Sequence, residues 1–195
     1  MLSHKKSLDI LKKTNALVEG HFVLSSGLHS SKYIQCAKLL SYPFIANKIC
    51  NSLAKKINNK FKSIDLILAP AMGGVIIGYE IGRILKKETI FCERVNGKFM
   101  LRRGFHIKKG AKVLIIEDVI TTGKSSLECV KLITKSKAKL IGFASIIDRS
   151  TKKSLKIKNK IISHMKINVP TFKKSQLPHV LKNIVITIPG SRFVK

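Results

Sequence analysis

The stretch Ile115-Ile116-Glu117-Asp118-Val119-Ile120-Thr121-Thr122-Gly123-Lys124-Ser125-Ser126, IIEDVITTGKSS, decides how the rest of the chain is read. It closes like a phosphate loop, with Gly-Lys-Ser following a run of β-formers. The glycine that opens a nucleoside-triphosphate loop, five places before Gly123, is replaced by Asp118, next to Glu117. A strand ending at Ile116 would emit two carboxylates, then a Thr/Gly-rich turn, then a helix from Ser125. Free N–H groups at that helix start, the turn freedom of Gly123 and the hydroxyls of Thr121, Thr122 and Ser125 suit a monophosphate. The two carboxylates would repel a phosphate but suit vicinal hydroxyls and a nearby cation. A sugar phosphate carrying a magnesium-bound diphosphate at its other end meets both demands. The alternative is an acidic strand end followed by a helix capped by a Ser125–Glu128 box.

Outward from this segment the pattern alternates. Ile64 to Ala69 is an apolar run ending at Pro70, Ala71-Met72-Gly73-Gly74 a glycine loop, Val75 to Lys86 helical and Thr89 to Glu93 a short strand. Lys112 to Glu117 reads as a buried strand, Ser125 to Ser136 as a helix and Leu140 to Ile147 as a further buried strand. Repetition of strand, helix and strand with uniformly apolar strands predicts an α/β chain. Its parallel sheet is covered on both faces, and ligands collect at the carboxyl ends of the strands. Ser7 to Leu17 and Pro43 to Ile57 are expected helices, the second with Ile45, Ile49, Leu53 and Ile57 on one face. Between them a Gly/Ser/His-rich loop, SSGLHSSKYIQC, leads into short extended structure. After Thr151 the Lys-rich tail breaks into small extended pieces expected to pack near the N-terminal segment.

A chain of 195 residues, 45% hydrophobic, fits one domain with a substantial core. No apolar run approaches the roughly 18 residues of a membrane span, and the N-terminal stretch lacks the apolar core of a secretion signal. A cytosolic protein is expected. Cys36, Cys50, Cys92 and Cys129 are widely separated, with no metal-ligand spacing, and are expected to be reduced thiols. The net charge of +28 invites a nucleic-acid partner. The lysines are scattered, however, with no Arg-rich block or aromatic ladder, so none is expected. The abundance of Lys, Ile and Asn resembles the codon bias of an AT-rich genome. Such a field would still gather anionic substrates.

The twelve-residue stretch closely resembles the 5-phosphoribosyl 1-diphosphate (PRPP) signature of type I phosphoribosyltransferases. The flanks GHFVLSSGLHSSKYIQCA from Gly20, APAMGGVIIGYEIGRIL from Ala69, FCERVNGKFMLRRGFHIKKG from Phe91, ASIIDRS from Ala144 and the closing PGSR resemble the orotate phosphoribosyltransferase family. The resemblance runs from about Gly20 to Arg192. It implies the type I phosphoribosyltransferase fold, a central parallel sheet flanked by helices. A small hood would form from about residues 20–42 and 165–195, within a single domain over 1–195, and a mobile catalytic loop would span about 94–104. It also implies a pentosyltransferase of de novo pyrimidine (UMP) synthesis that joins orotate to PRPP, giving orotidine 5'-monophosphate and diphosphate. Magnesium would be held mainly through PRPP and not by protein ligands. The family resemblance further implies a cytoplasmic homodimer with shared active sites, without a membrane or nucleic-acid partner.

Residue roles follow from the same resemblance. Glu117 and Asp118 hold the ribose hydroxyls; Val119 and Ile120 line PRPP; Thr121, Thr122, Gly123, Lys124 and Ser125 bind its 5-phosphate; Gly73 and Gly74 contact the diphosphate. Orotate is met by Thr121, by Ser26, Gly27, His29 and Tyr33 of a closing loop, and by Arg149, whose guanidinium can grip a planar carboxylate. The alternative for Arg149 is a salt bridge with Asp148. His29 stands where much of the family has lysine and is not assigned as a base. Arg94, Lys98, Arg102 and Arg103 are the catalytic cations. The loop departs from the family pattern, with Val95 in place of a second basic residue and Met100 where histidine would be, and Arg102 and Arg103 supply the missing charge. In such a reaction orotate N1 attacks C1 of the ribose as diphosphate leaves, so orientation, anion neutralisation and exclusion of water outweigh a strong base. Two rivals remain: a phosphoribosyltransferase for a purine or uracil, and a PRPP-sensing regulator whose nucleic-acid affinity would fall steeply with salt.

Overall fold

The apolar runs that lead to Pro70, Ile120 and Asp148 become parallel neighbours in one six-stranded sheet. The computed structural model describes residues 2–24, 26–151, 154–157 and 160–189. In chain order the elements are α1 (His4–Lys13), β1 (Leu17–Val23), β2 (His29–Ile34), α2 (Cys36–Leu40), α3 (Pro43–Lys60), β3 (Leu66–Pro70), α4 (Gly73–Leu85), β4 (Glu88–Val95) and β5 (Lys98–Met100). They continue with β6 (Lys112–Ile120), α5 (Lys124–Lys135), β7 (Lys139–Asp148), β8 (Ile161–Lys166), β9 (Thr171–Phe172), a 3-10 turn (Lys174–Gln176), α6 (His179–Lys182) and β10 (Ile186–Thr187).

The main sheet runs β5-β4-β3-β6-β7-β8, parallel throughout except for the β4–β5 hairpin. Its strands read as unbroken apolar runs because both faces are covered. Ile67, Leu114, Ile116 and Ile146 pack toward α3 and α4, while Leu66, Leu68, Val113, Ile115 and Phe143 pack toward α5. The expected stripe on α3 is present, with Ile49, Leu53 and Ile57 fully buried and Ile45 packed against them. A second sheet, ordered β10-β1-β2-β9, pairs the N-terminal hairpin with two short C-terminal strands.

Several boundaries differ from the sequence expectation. The first helix starts at His4, capped by Ser3, and stops at Lys13; Asn15 turns left-handed at φ 53° and Leu17 pairs with Ile34 instead of continuing the helix. The 26–36 segment is more regular than a loop: β2 takes up His29–Ile34, and the β1–β2 turn is closed by Gly27 N–H to Leu24 O at 2.8 Å, with Gly27 at φ +76°. β6 runs beyond Glu117, because Val119 and Ile120 pair with Ile147 and Asp148, so the acid pair lies within the strand. The tail does add β9 and β10 to the N-terminal sheet, but Ile161–Lys166 joins the main sheet beside β7. No Ser125–Glu128 box forms: Gly123 is the cap of α5, without a side-chain hydrogen bond. All four cysteines are free and buried, with Cys92 Sγ 3.3 Å from Cys129 Sγ. Among the described residues no helix is long and apolar enough to cross a membrane. Of the PGSR segment, residues 190–192 lie outside the described residues, as do Ser25 and four lysine-segment positions, 152, 153, 158 and 159.

Candidate active site

β-Strand alternation sends the adjacent acids at the end of β6 to opposite faces of the sheet. Glu117 turns toward α5, where Ser126 Oγ donates to its Oε1 at 2.8 Å. Burial pushes its carboxyl up to about 7; the Ser126 hydrogen bond and the nearby Arg94 oppose the shift and Asp118 adds to it. Asp118 turns toward the start of α4, accepts Val119 N–H on Oδ1 at 2.8 Å and is likewise raised by burial. Gly73 makes that placement possible: a Cβ there would lie 2.7 Å from Asp118 Oδ1. A Cβ on Gly74 would lie 2.9 Å from Ile116 O, so the glycine loop is pressed directly on β6. The Ala71–Met72 peptide within it is cis.

Beyond Ile120 the chain folds around a cavity of about 80 Å³ lined by Glu117 and by residues from Val119 to Ser126. Gly123, at φ +73°, begins α5. Lys124 N–H reaches Thr122 Oγ1 at 3.3 Å, and the remaining first-turn N–H groups are left for a ligand. Thr121, Thr122 and Lys124 are exposed. Ile120 is fully buried and its carbonyl accepts Arg149 N–H at 2.8 Å, so it shapes the cavity through its main chain.

Arg149 follows β7 at the same end of the sheet. Asp148 does not pair with it; that carboxylate faces Lys166 Nζ at 3.7 Å and accepts Ser150 N–H at 2.7 Å. Arg149 Nε is buried and has no hydrogen-bond partner among the described residues. Burial lowers the guanidinium's pKa, with Tyr33 and Cys36 close enough to oppose the shift. Tyr33 is in turn raised by burial, with Arg149 opposing and Asp118 reinforcing. Tyr33, Asp118 and Arg149 therefore lie near one another at the end of the sheet from which the 121–125 loop leaves.

Other expected residues are placed differently. Ser26 and Gly27 form the exposed β1–β2 turn. His29 is buried, with Nδ1 2.7 Å from Nε2 of His21, whose Nδ1 lies 3.3 Å from Ile184 O. The basic segment is a hairpin whose arginines are already paired, within it and to α5. Arg94 pairs with Glu128 at 2.6 Å, donates to Gly97 O at 2.5 Å and lies 4.1 Å over the Phe99 ring. Arg102 and Arg103 both pair with Glu93, at 3.9 and 3.2 Å. Lys98 is exposed and lines a separate groove of about 730 Å³ with Phe105, Leu132 and Lys135. Sequence inspection did not single out Ser126, His21 or the Arg94 partnership of Glu128, because each acts through a contact distant in sequence.

A phosphoribosyl transferase domain family matches residues 45–180. An orotate phosphoribosyltransferase of Erythrobacter litoralis is 42% identical over 192 residues, covering 98% of this chain and 99% of the relative. One from Caldicellulosiruptor saccharolyticus is 43% identical over 188 residues, covering 96% and 97%. Among solved structures, an orotate phosphoribosyltransferase from Aeropyrum pernix superposes with a TM-score of 0.69 at 21% identity, over 82% of this chain and 92% of that one. An adenine phosphoribosyltransferase from Saccharomyces cerevisiae gives 0.64 at 15% identity, over 81% and 99%, so the fold alone does not choose the base.

Proposed function

The chain belongs to the orotate phosphoribosyltransferase family, and on that premise we infer that it transfers the 5-phosphoribosyl group of PRPP to orotate. The products are orotidine 5'-monophosphate and diphosphate, in the pyrimidine route to UMP. The observation that carries the choice of base is Arg149: a half-buried guanidinium whose buried Nε has no partner among the described residues, beside Tyr33 and next to the phosphate-type loop. A desolvated cation of this kind is stabilised by an anionic base with a planar carboxylate and is wasted on adenine or uracil.

In the bound state Glu117 and Asp118 accept hydrogen bonds from the ribose hydroxyls. The α5 first-turn N–H groups and Thr121, Thr122 and Ser125 hold the 5-phosphate. Gly73 and Gly74 let main chain approach the diphosphate, and Arg149 with Tyr33, Thr121 and the Ser26–His29 turn orients orotate so that N1 faces C1. Magnesium suits this donor set through the substrate, since the two acids face opposite helices and do not converge on one ion. When bound, it screens the negative charge of the departing diphosphate. Arg94, Lys98, Arg102 and Arg103 add positive charge to that task. For Arg94 this requires exchange of the Glu128 ion pair for the substrate anion, a motion of the hairpin that also shields the reacting carbon from water.

We place the whole chain in one catalytic unit that acts as a cytoplasmic homodimer. Support for the dimer comes from exposed apolar side chains: Phe44 at 89% in the first turn of α3, Met72 at 84% in the glycine loop, and Ile76 and Tyr79 one and two turns further along α4. Four free buried thiols fit a reducing compartment.

The test is loss of orotate absorbance with PRPP and magnesium, with uracil, adenine and hypoxanthine as alternative bases. Consumption confined to orotate and dependent on PRPP and metal is expected. Turnover of another base, or of none, would overturn the assignment.

A further inference from the structure

The Lys-rich segment after β7 conceals two apolar anchors. Leu155 packs against the core on the α5 side, and Ile157 is buried in it with Ile120, Cys129 and Ile133. The segment begins two residues after Arg149 with a reciprocal turn: Thr151 N–H donates to Ser154 Oγ at 2.9 Å and Ser154 N–H to Thr151 Oγ1 at 3.1 Å. It ends on the 121–125 loop. Lys156 N–H donates to Thr122 O at 3.1 Å, and a Cβ on Gly123 would lie 2.5 Å from both Cδ1 and Cγ1 of Ile157. Gly123 is therefore held from two sides. Movement toward the segment is blocked by Ile157, and movement away breaks the Lys156–Thr122 hydrogen bond.

We propose that residues 154–157 form the back wall of the 5-phosphate site, with Ile157 as a positioning residue that fixes the 121–125 loop for PRPP. The proposal rests on the PRPP assignment above and adds to it a function for the segment that the motif does not contain. Ile157 touches no substrate and acts only through Gly123 and Thr122.

The experiment compares Ile157→Ala and Ile157→Val with wild type. PRPP–magnesium affinity is measured by calorimetry, KM for orotate at saturating PRPP, and thermal midpoint in parallel. Ile157→Ala is expected to weaken PRPP binding about tenfold or more while orotate KM stays within about twofold, and Ile157→Val to recover to within about threefold. PRPP affinity unchanged in Ile157→Ala would overturn the wall. So would parallel losses for both substrates that track the thermal midpoint. Wild-type protein that binds PRPP and shows the Ile157 effect but consumes no orotate would sink the base assignment and leave the wall standing. Wild type that binds no PRPP would remove both.

Discussion

Replacing Gly73 with alanine drives a methyl group into the Asp118 carboxylate. The added carbon would sit 2.7 Å from Oδ1 and 2.9 Å from both the carboxyl carbon and Oδ2, so one partner must retreat by roughly 0.7 Å to restore ordinary contact. Rotation of Asp118 alone breaks its 2.8 Å bond from Val119 N–H, worth about 1.5–3 kcal/mol for a charged acceptor. Retreat of the glycine loop is resisted by Gly74, which already sits against Ile116 O and Pro70. Overpacking of this kind costs about 1–3 kcal/mol, and displacing a substrate-holding group by a large fraction of an ångström costs up to about 100-fold in rate. Gly73→Ala should therefore lower the thermal midpoint and reduce kcat/KM for PRPP by about 10- to 100-fold, with KM for orotate nearly unchanged. Steady-state kinetics in the Asp118→Ala background separate the contact from general damage, because removal of the carboxylate leaves room for the methyl group. Wild-type kcat/KM in Gly73→Ala, or a penalty just as large in the Asp118→Ala background, would refute the reasoning.

Three further outcomes follow from the geometry. Arg149→Met should raise KM for orotate by about 100-fold while leaving KM for PRPP within a few-fold and stability equal or higher, since it removes a half-buried charge with an unpartnered Nε; lysine should not restore the affinity. Glu117 is held protonated to about pH 7 in the free protein against an ordinary value of 4.5, so its contribution to stability is present below pH 4.5 and lost as pH rises through 7. Because the ribose hydroxyls favour the ionised form, PRPP affinity measured by calorimetry should rise from pH 6 to pH 8. The rise should be smaller in Glu117→Gln, in which only the ionisation of the substrate's own phosphate and of other protein groups remains; equal pH slopes would count against the assignment. Burial, reinforced by Lys56 and His4, lowers His164 from 6.5 to about 4; Ser7 Oγ lies 2.7 Å from its Nε2. The stability it contributes is present above pH 6.5 and lost as pH falls through 4, so thermal midpoints should fall less steeply across that window in His164→Asn than in wild type.

What the sequence by itself determined is local. Apolar runs of strand length separated by helical stripes dictate parallel strands covered on both faces, and Glu117-Asp118, two residues ahead of Thr-Thr-Gly-Lys-Ser, marks a candidate site for a sugar beside a phosphate loop. Such patterns are legible because backbone periodicity and turn chemistry act over a few residues. Tertiary structure alone decided that the two acids separate, Glu117 to Ser126 and Asp118 to Gly73, because strand length depends on pairing with β7. It also decided that Ile161–Lys166, an edge strand with polar positions and little apolar alternation, joins the main sheet. The partners of Arg94, His29 and Gly123 lie 34, 8 and 34 residues away, at Glu128, His21 and Ile157. Contacts of that kind are set by which surfaces must be buried together, and no local pattern encodes them.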